Sequence, residues 1–369
     1  MSALECLGID HLTLNIIEKT YLKDEMIKYL GSKRLLVSKI VEIIKNEGAK
    51  SVIDLFSGTS RVGYALQNEG IKVISNDHNE YAHFLASVHV AMDPESEHKD
   101  KFQAWIDELN AVKSCPGWIT KTYCEDSRFF HPKNGAKIDA IREYIEKKYK
   151  PSSSDASWKE WEPYRFMIIS LIEAADKVDS TCGIQMAYLK QWAPRAHNEL
   201  LLKIPKMSTG RGVAMRSDAK DVAELPADLV YLDPPYNQHS YLGNYHIWES
   251  ICLWDKPEIY GKAMKRIDVR TRKSDFNSKR KIKPAFSEII NKITAEKALI
   301  SFSNEGYLSK DDILEIISKK FKDISTIEIP YKRYIGAQIG IHNQKGEKVG
   351  KISHTKNVEL LFLAKNRLF

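Results

Sequence analysis

The sequence of 369 residues has no apolar run approaching the ~20 residues that a membrane-spanning helix needs, so no membrane partner is expected. Residues 1–10 lack a basic stretch followed by an apolar one, which argues against a signal peptide. The five cysteines are scattered and form no CxxC pair, which predicts neither a zinc site nor a complete disulfide framework. These absences favour a cytoplasmic protein with reduced thiols and no metal.

Internal repeats and low-complexity tracts are also absent, and 43% hydrophobic residues suffice for a sizeable core. The net charge of +7 is concentrated in one stretch, residues 262–283, which we call the basic segment. It holds ten Lys and Arg against two Asp, so the rest of the chain is close to neutral. Such a cluster is either a solvated loop or a nucleic-acid contact, and the sequence alone favours neither.

The most informative motif is Asp233-Pro234-Pro235-Tyr236, which follows the apolar run 229–232. The run is typical of a buried strand, and two consecutive prolines cannot continue it, so the chain turns at the strand's C-terminal end. Ligands of open α/β sheets bind at that edge. A carboxylate and a backbone carbonyl only accept hydrogen bonds, which suits an amino group with two hydrogens, and the ring suits a flat partner.

An earlier stretch predicts a site for a nucleoside cofactor. Residues 51–55 form a predicted strand, 56–63 a glycine-containing loop that opens a helix, and 71–74 a second strand. Asp77 follows the second strand, where an acid binds the ribose in Rossmann-like folds. The sequence has no Gly-x-Gly-x-x-Gly motif at this position to bring the backbone close to a pyrophosphate, and the Asp54 carboxylate would repel a pyrophosphate. Asp54 would instead attract a cation, and S-adenosylmethionine combines a ribose, an adenine and positive charges without a phosphate.

The whole pattern predicts an α/β fold with a Rossmann-like core around a mixed, mostly parallel sheet. Residues 1–84 and 206–369 are expected to form this core, with the candidate nucleic-acid contact in a stretch at 255–285, and residues 85–205 to form an inserted, mainly helical region. Helices are predicted at 35–48 with Ser32 as the cap, and at 80–91, 99–112, 136–148 and 163–178. Later strands are predicted at 212–215, 298–302, 324–329 and 358–364.

Four motifs together resemble the DNA adenine-N6 methyltransferases, the family of the Dam methylase and many restriction-modification methylases. In chain order they are Lys28-Tyr29-Leu30-Gly31-Ser32-Lys33, Asp54-Leu55-Phe56-Ser57-Gly58-Thr59, Asn76-Asp77, and Asp233-Pro234-Pro235-Tyr236 with its tail through His246. The resemblance implies a site-specific enzyme that uses S-adenosylmethionine to methylate the N6 amine of adenine in double-stranded DNA.

The resemblance also implies roles for individual residues. Those expected to touch the cofactor are Tyr29, Lys33, Asp54, Phe56, Gly58, Asp77 and Asp233. Asp218 is assigned to the cofactor adenine, although Glu125 and Asp126 compete for that role. In the catalytic motif, Asp233 and the Pro234 carbonyl would each accept one hydrogen of the target amine. Tyr236 would stack on a flipped-out base. Tyr331 or Tyr334 is either a second wall for the base or an ordinary strand-end aromatic.

DNA contacts are predicted in two places. The inserted region is expected to read bases in the major groove, with Lys190 and Arg195 in the stretch 188–197, although a structural loop is equally plausible there. The basic segment is expected to hold phosphates. Its candidate residues are Arg270, Arg272, Lys273, Lys279, Arg280 and Lys281.

Other functions stay open at the level of sequence. Cytosine C5 chemistry would need a nucleophilic Cys, carried as Pro-Cys in the enzymes concerned, and the chain has no Pro-Cys. Cytosine N4 enzymes of this kind usually carry Ser in place of Asp233. A protein glutamine methyltransferase uses a related Asn-Pro-Pro-Tyr motif, and a catalytically inactive subunit would keep the fold and bind nucleic acid. A restriction-modification setting would add a separate cognate endonuclease as a partner.

Overall fold

The computed structural model describes residues 26–31, 33–332 and 356–368. Nine strands are present in the described residues, and seven of them form one sheet. In chain order they are β1 (Ser51–Asp54), β2 (Lys72–Asn76), β3 (Val213–Met215), β4 (Leu229–Leu232), β5 (Ile259–Tyr260), β6 (Lys265–Arg266), β7 (Lys297–Ser303), β8 (Phe321–Lys332) and β9 (Lys356–Arg367). β5 and β6 form a separate two-stranded ribbon.

Nine helices of eight or more residues accompany the strands in the described chain. They are α1 (Val37–Asn46), α2 (Arg61–Asn68), α3 (Glu80–His89), α4 (Phe102–Ala111), α5 (Pro132–Tyr149), α6 (Trp158–Lys177), α7 (His246–Leu253), α8 (Ile282–Lys292) and α9 (Lys310–Ser318). Shorter helical turns include Tyr241–Asn244 and Asp275–Asn277.

The strands of the large sheet lie in the order β3-β2-β1-β4-β7-β9-β8. The first five are parallel, and β9 and β8 join antiparallel. The expected α/β fold with a mixed, mostly parallel sheet is therefore confirmed. Because β1, β2 and β4 are parallel, the residues that follow them meet at one edge of the sheet, and the N-terminal half of β9 reaches the same edge beside the end of β7.

Both faces of the sheet are covered by helices, which explains the continuous apolar strands of the sequence. All four residues of β4 are buried, and they alternate between two hydrophobic clusters. Leu229 and Tyr231 pack in the cluster that includes α1 and α2, whereas Val230 and Leu232 pack with α8 and α9.

Every residue between 85 and 205 is described, and none lies in a strand of the sheet. The helices α4, α5 and α6 share one hydrophobic cluster with α3 and α7, which flank this region in sequence. Arg142 of α5 is fully buried and donates hydrogen bonds to the carbonyls of Ile251 and Cys252 in α7. The helical region therefore packs into a common core with the catalytic part, and its boundaries as a domain stay a prediction.

Three predicted helix starts were wrong, and one of them is the helix expected from residue 136, which begins at Pro132. The helix expected from residue 35 begins at Val37, and Leu35 lies in a preceding helical turn with 76% of its surface exposed. Its predicted cap, Ser32, lies outside the described residues. The helix expected from Pro163 begins five residues earlier at Trp158, where Ser157 and Glu160 form a capping box, and Pro163 lies inside the helix. No described helix is long and apolar enough to span a membrane.

Candidate active site

A cleft of about 750 Å³, counted to its open mouth, lies where β1, β2 and β4 end. Three carboxylates line it, those of Asp54, Asp77 and Asp233, one from the end of each strand. The topology therefore brings together acids that are up to 179 positions apart in the sequence.

The loop between β1 and α2 forms one wall and is shaped by Asp77. Its Oδ2 accepts a hydrogen bond from the Gly58 N–H (3.2 Å), and its Oδ1 accepts from the Asn79 N–H (2.9 Å). Gly58 has φ +50°, and a Cβ there would lie 3.2 Å from the Tyr29 ring. A glycine is thus required both by the backbone conformation and by the close approach of the ring.

Asp54 lies at the inner end of this cleft with 1% of its surface exposed. Its Oδ1 has no hydrogen-bond partner among the described residues. Burial raises the pKa of Asp54 well above its usual value, and the nearby Asp233 and Asp77 add to the shift. A buried carboxylate that is incompletely paired is costly, so this end of the cleft favours a positively charged ligand.

Asp233 is joined to two other charged residues. Nζ of Lys33 lies 2.8 Å from Oδ1 of Asp233 and 3.0 Å from Oε1 of Glu359 on β9. Burial raises the pKa of Asp233 to about 6, and Lys33 opposes this shift while Glu359 adds to it. Burial disfavours the charged form of Lys33, but Asp233 and Glu359 outweigh burial and raise its pKa. Sequence reasoning missed Glu359, because it lies 126 positions from Asp233 in a stretch, residues 358–364, that is otherwise apolar.

A stack of tyrosines fixes the segment that carries Lys33. The Tyr29 ring lies between Tyr241, at 5.1 Å and 7° between planes, and Tyr245, at 4.4 Å and 13°. The Tyr245 hydroxyl accepts a hydrogen bond from the Leu30 N–H at 2.5 Å. Both Tyr241 and Tyr245 belong to the tail of the catalytic motif, and no role was predicted for either of them from the sequence. Their four-residue spacing, which places both on one side of a helical turn, is the signal for this role.

Most of the predicted cofactor-binding and catalytic residues line the cleft. They are Tyr29, Lys33, Asp54, Phe56, Gly58, Asp77, Asp233 and Pro235. Pro234 and Tyr236 are not among the lining residues, and the Tyr236 ring lies 6.1 Å from that of Phe302. The side chain of Tyr331 and all of Tyr334 lie outside the described residues.

Asp218 does not reach the cleft among the described residues. Its side chain is 58% exposed and caps the short helical turn that follows it. The competing acids Glu125 and Asp126 both pair with Lys121, at 3.6 and 2.9 Å. None of the three therefore lines the described cleft, and their assignment to the cofactor adenine stays a prediction.

The basic segment contributes a wall of the cleft through Arg272, Ser274 and Asn277. Arg272 pairs with the buried Glu249 at 2.7 Å and with Asp268 at 3.1 Å. Asn277 donates hydrogen bonds to the carbonyls of Asn237 and His239 in the tail of the catalytic motif. The segment is therefore fixed against the motif and is not a freely solvated loop.

The predicted DNA-binding residues differ in how far their charges are available. Lys281 pairs with Asp275 at 2.9 Å, and the Arg270 guanidinium lies 4.2 Å from the centre of the Tyr260 ring. Lys273, Lys279 and Arg280 are exposed and have no ion-pair partner among the described residues.

In the inserted region, the two predicted DNA contacts also differ. Arg195 pairs with the buried Asp179 at 2.7 Å, and the same carboxylate lies 2.9 Å from Nζ of Lys28. Lys190 is exposed, and its carbonyl accepts a hydrogen bond from Arg128. Arg195 is therefore a structural residue in this geometry, whereas Lys190 is accessible.

The family model for D12 class N6 adenine-specific DNA methyltransferases matches residues 29–316. The chain is 28% identical to modification methylase StsI of Streptococcus sanguinis over 329 residues, which are 83% of this chain and 48% of that protein. It is 29% identical to type II methyltransferase M.FokI of Planomicrobium okeanokoites over 327 residues, 83% of this chain and 49% of that protein.

A shorter relative matches over nearly its full length. The chain is 28% identical to type II methyltransferase M.NlaIII of Neisseria lactamica over 339 residues, which are 88% of this chain and 98% of that protein. The chain thus spans about half the length of StsI and M.FokI and almost all of M.NlaIII.

Proposed function

The chain belongs to the D12 class of N6 adenine-specific DNA methyltransferases, and from this premise we propose that it transfers a methyl group from S-adenosylmethionine to the N6 amine of an adenine in duplex DNA. The observation that carries the proposal is the carboxylate of Asp233, which lines the same cleft as Asp54 and Asp77. The acceptor for an amino group, Asp233, thus lies in the same cleft as the two acids, Asp54 and Asp77, that suit a cationic nucleoside.

The residues of the cleft fit S-adenosylmethionine. When bound, this cofactor supplies a methyl group on a sulfonium that is open to displacement. The unpartnered Oδ1 of buried Asp54 suits its positive charge, and the Asp77 carboxylate suits the ribose hydroxyls. Tyr29 and Phe56 add aromatic walls, and Lys33 lies beside them.

Asp233 would act as a hydrogen-bond acceptor. Its Oδ1 is engaged by Lys33, which leaves Oδ2 for one amino hydrogen, and the Pro234 carbonyl would accept the other. The amine of adenine is a poor nucleophile because its lone pair is delocalised into the ring. Two acceptors steer the nitrogen towards tetrahedral geometry and stabilise the charge that develops as the methyl group is transferred.

A base within the duplex cannot reach this cleft, so the target adenine must be flipped out of the stack. Tyr236 follows the acceptors directly and would stack on the base after a shift of its ring. The exposed cations Lys273, Lys279 and Arg280 would hold phosphates, and the inserted region with Lys190 would contact bases. Arg195, Arg272 and Lys281 are already paired with carboxylates, and Arg270 lies over the Tyr260 ring, so we expect these four to contribute less to DNA binding.

The biological setting that these relatives suggest is restriction-modification, with a separate endonuclease that cuts the unmodified sequence. StsI, M.FokI and M.NlaIII are named as modification or type II methyltransferases. A cytosine N4 methyltransferase is the second candidate enzyme, because the same two acceptors would fit any exocyclic amine.

The proposal is tested by incubating the purified chain with methyl-labelled S-adenosylmethionine and mixed-sequence duplex DNA, followed by digestion and identification of the labelled nucleoside. We expect N6-methyladenine, and long-read sequencing of the product gives its context. Labelled N4-methylcytosine would replace the proposal by the second candidate. If calorimetry shows that the chain binds S-adenosylmethionine but no label appears in DNA, the chain is an inactive binding subunit.

A further inference from the structure

A buried carboxylate on β9 lies next to the catalytic motif and has no part in the mechanism above. Glu359 is 3% exposed, and its Oε1 lies 3.0 Å from Nζ of Lys33. The same Nζ lies 2.8 Å from Oδ1 of Asp233. Ser301 on β7 donates a hydrogen bond to Oε1 of Glu359. Two carboxylates thus share one ammonium group beside the cleft.

This arrangement is more costly than the fold requires. Asp233 alone would neutralise Lys33, and the neighbours of Glu359 in β9, from Leu360 to Ala364, are apolar and buried. Glu359 adds a second negative charge to a buried pair, which is unfavourable unless the charge has a use. Its position is also well determined, because Ser301 fixes one of its oxygens and Lys33 approaches that same oxygen.

We propose that Glu359 is a positioning residue for methyl transfer, which shares the charge of Lys33 so that the Asp233 carboxylate stays a strong acceptor for the target amine. The inference rests on the proposed function. Without Glu359, Lys33 would donate to Asp233 alone and withdraw charge from the oxygen that accepts the amino hydrogen. With Glu359, Lys33 still orients Asp233 but neutralises it less.

The groups that face Asp233 come from several elements, and all of them bear on its ionisation. Among the described residues they are Lys33, Glu359, Asp54, Tyr231, Tyr236 and Tyr241. Lys33 lowers the pKa of Asp233, whereas burial and Glu359 raise it. Burial raises the pKa of Tyr231 and Tyr241 well above the usual range for tyrosine, so both are neutral and neither can replace Glu359 as a charge.

The test is the substitution Glu359→Gln, which keeps the shape of the side chain and removes its charge. We expect the acid limb of the pH–rate profile to move to lower pH by about 1 unit or more, because a charge within ~4–6 Å shifts a pKa by about that amount. The plateau rate above pH 8 should fall several-fold, because a less basic acceptor takes up the amino hydrogen less well. A residue with a structural role alone would lower the rate without moving the limb.

Glu47→Gln is the matched control. Glu47, the residue that follows α1, is a carboxylate that pairs with two lysines, Lys297 on β7 and Lys365 on β9, at 3.1 and 3.2 Å. In the register of the two strands, Lys297 lies opposite Lys365 at one end and Ser303 lies opposite Glu359 at the other. The two ends are six residues apart, or roughly 20 Å. The control therefore removes a carboxylate that pairs with lysines of the same two strands, and it should leave the acid limb in place.

A second measurement does not depend on turnover. Titration of the Asp233 carboxyl by ¹³C NMR, in protein labelled at aspartate and assigned with Asp233→Asn, should give a lower pKa in Glu359→Gln than in the unaltered chain. An unchanged pKa, or an acid limb that stays in place in Glu359→Gln, overturns the inference. If the unaltered chain methylates no DNA, the proposed function fails, and the titration still decides whether Glu359 controls Asp233.

Discussion

The acidic strand ends and the basic segment border the same cleft, but they differ in how far their charges are already paired within the chain. Asp54 and Asp233 are carboxylates whose pKa burial raises, and Asp54 keeps one oxygen without a partner among the described residues. In the basic segment, four of the ten cations are already held by carboxylates of the chain itself. These four are Arg266, Arg272, Lys281 and Lys283.

The difference shows which charges are available to a ligand. A buried carboxylate with an open hydrogen-bonding position is costly on its own and gains free energy when a cation or donor arrives. A paired surface cation must first give up its partner, so it contributes less to binding than its formal charge suggests. The acids should therefore dominate cofactor binding and catalysis, and only part of the basic segment should contribute to DNA affinity.

The largest effect is expected from Asp233→Ala. Loss of one preorganised polar group in an active site lowers kcat by about 10²–10³-fold, ~2.7–4 kcal/mol, and we expect methyl transfer to fall by at least that amount in a labelled-DNA assay. Asp228 supplies the matched control, because it lies at the other end of β4 and accepts hydrogen bonds from the N–H groups of Lys50 and Ser51. Turnover near the unaltered level in Asp233→Ala would contradict the mechanism, whereas Asp228→Ala should affect stability alone.

Asp77→Ala should weaken S-adenosylmethionine binding by roughly 10- to 150-fold. A hydrogen bond to a charged acceptor is worth ~1.5–3 kcal/mol, and the ribose hydroxyls would lose theirs. Calorimetry measures the affinity, and the thermal midpoint reports whether loss of the bonds to Gly58 and Asn79 has disturbed the loop. Asp218→Ala sharpens the comparison, because an exposed acid should change the affinity far less. A larger loss in Asp218→Ala than in Asp77→Ala would reverse the two assignments.

The acid limb of kcat/KM should lie near pH 6, the pKa to which burial raises Asp233. The proposed mechanism uses Asp233 as a carboxylate, so we expect the rate to fall about tenfold per pH unit below that value. Stability should not follow the rate. A carboxyl group whose pKa is raised by folding stabilises the folded state most below its unfolded pKa, and that contribution is lost as pH rises towards 6. Thermal midpoints that fall together with activity below pH 6 would assign the limb to unfolding instead.

The sequence predicted the sheet and the three acids because those signals are local. Asp54 and Asp233 directly follow apolar residues of β1 and β4, Asp77 comes directly after β2, and parallel topology then brings the three acids to one edge. Glu359 was not predictable, because a single charge in the apolar stretch 358–364 gives no sign of which residue it contacts. Ion pairing in the basic segment was equally hidden, since Glu249, the partner of Arg272, lies 23 positions earlier in the helix α7.

The availability of the basic charges also could not be read from their number. A count of Lys and Arg treats Lys281 and Lys279 as equal, although one pairs with Asp275 and the other is exposed without an ion-pair partner among the described residues. Pairing depends on the turn Asp275–Asn277, which places the acid six positions before Lys281 within reach of its Nζ. A spacing of six residues does not bring two side chains together in a helix or along a strand, so this ion pair could not be predicted from the sequence.

The smallest expected effect concerns the difference between paired and unpaired cations in the basic segment. It is also the sharpest test of the comparison. Replacing Lys273, Lys279 and Arg280 together by Ala should weaken binding to specific and non-specific DNA alike, because phosphate contacts carry no sequence information. Each lost contact should flatten the plot of log affinity against log salt by ~0.9. Lys281 and Lys283, which are paired with acids, form the matched double variant, and its slope should change by less per residue. Fluorescence anisotropy over a salt series measures both slopes. Equal changes per residue would mean that pairing does not limit these cations, and a loss of site preference with an unchanged slope would assign base reading to this segment.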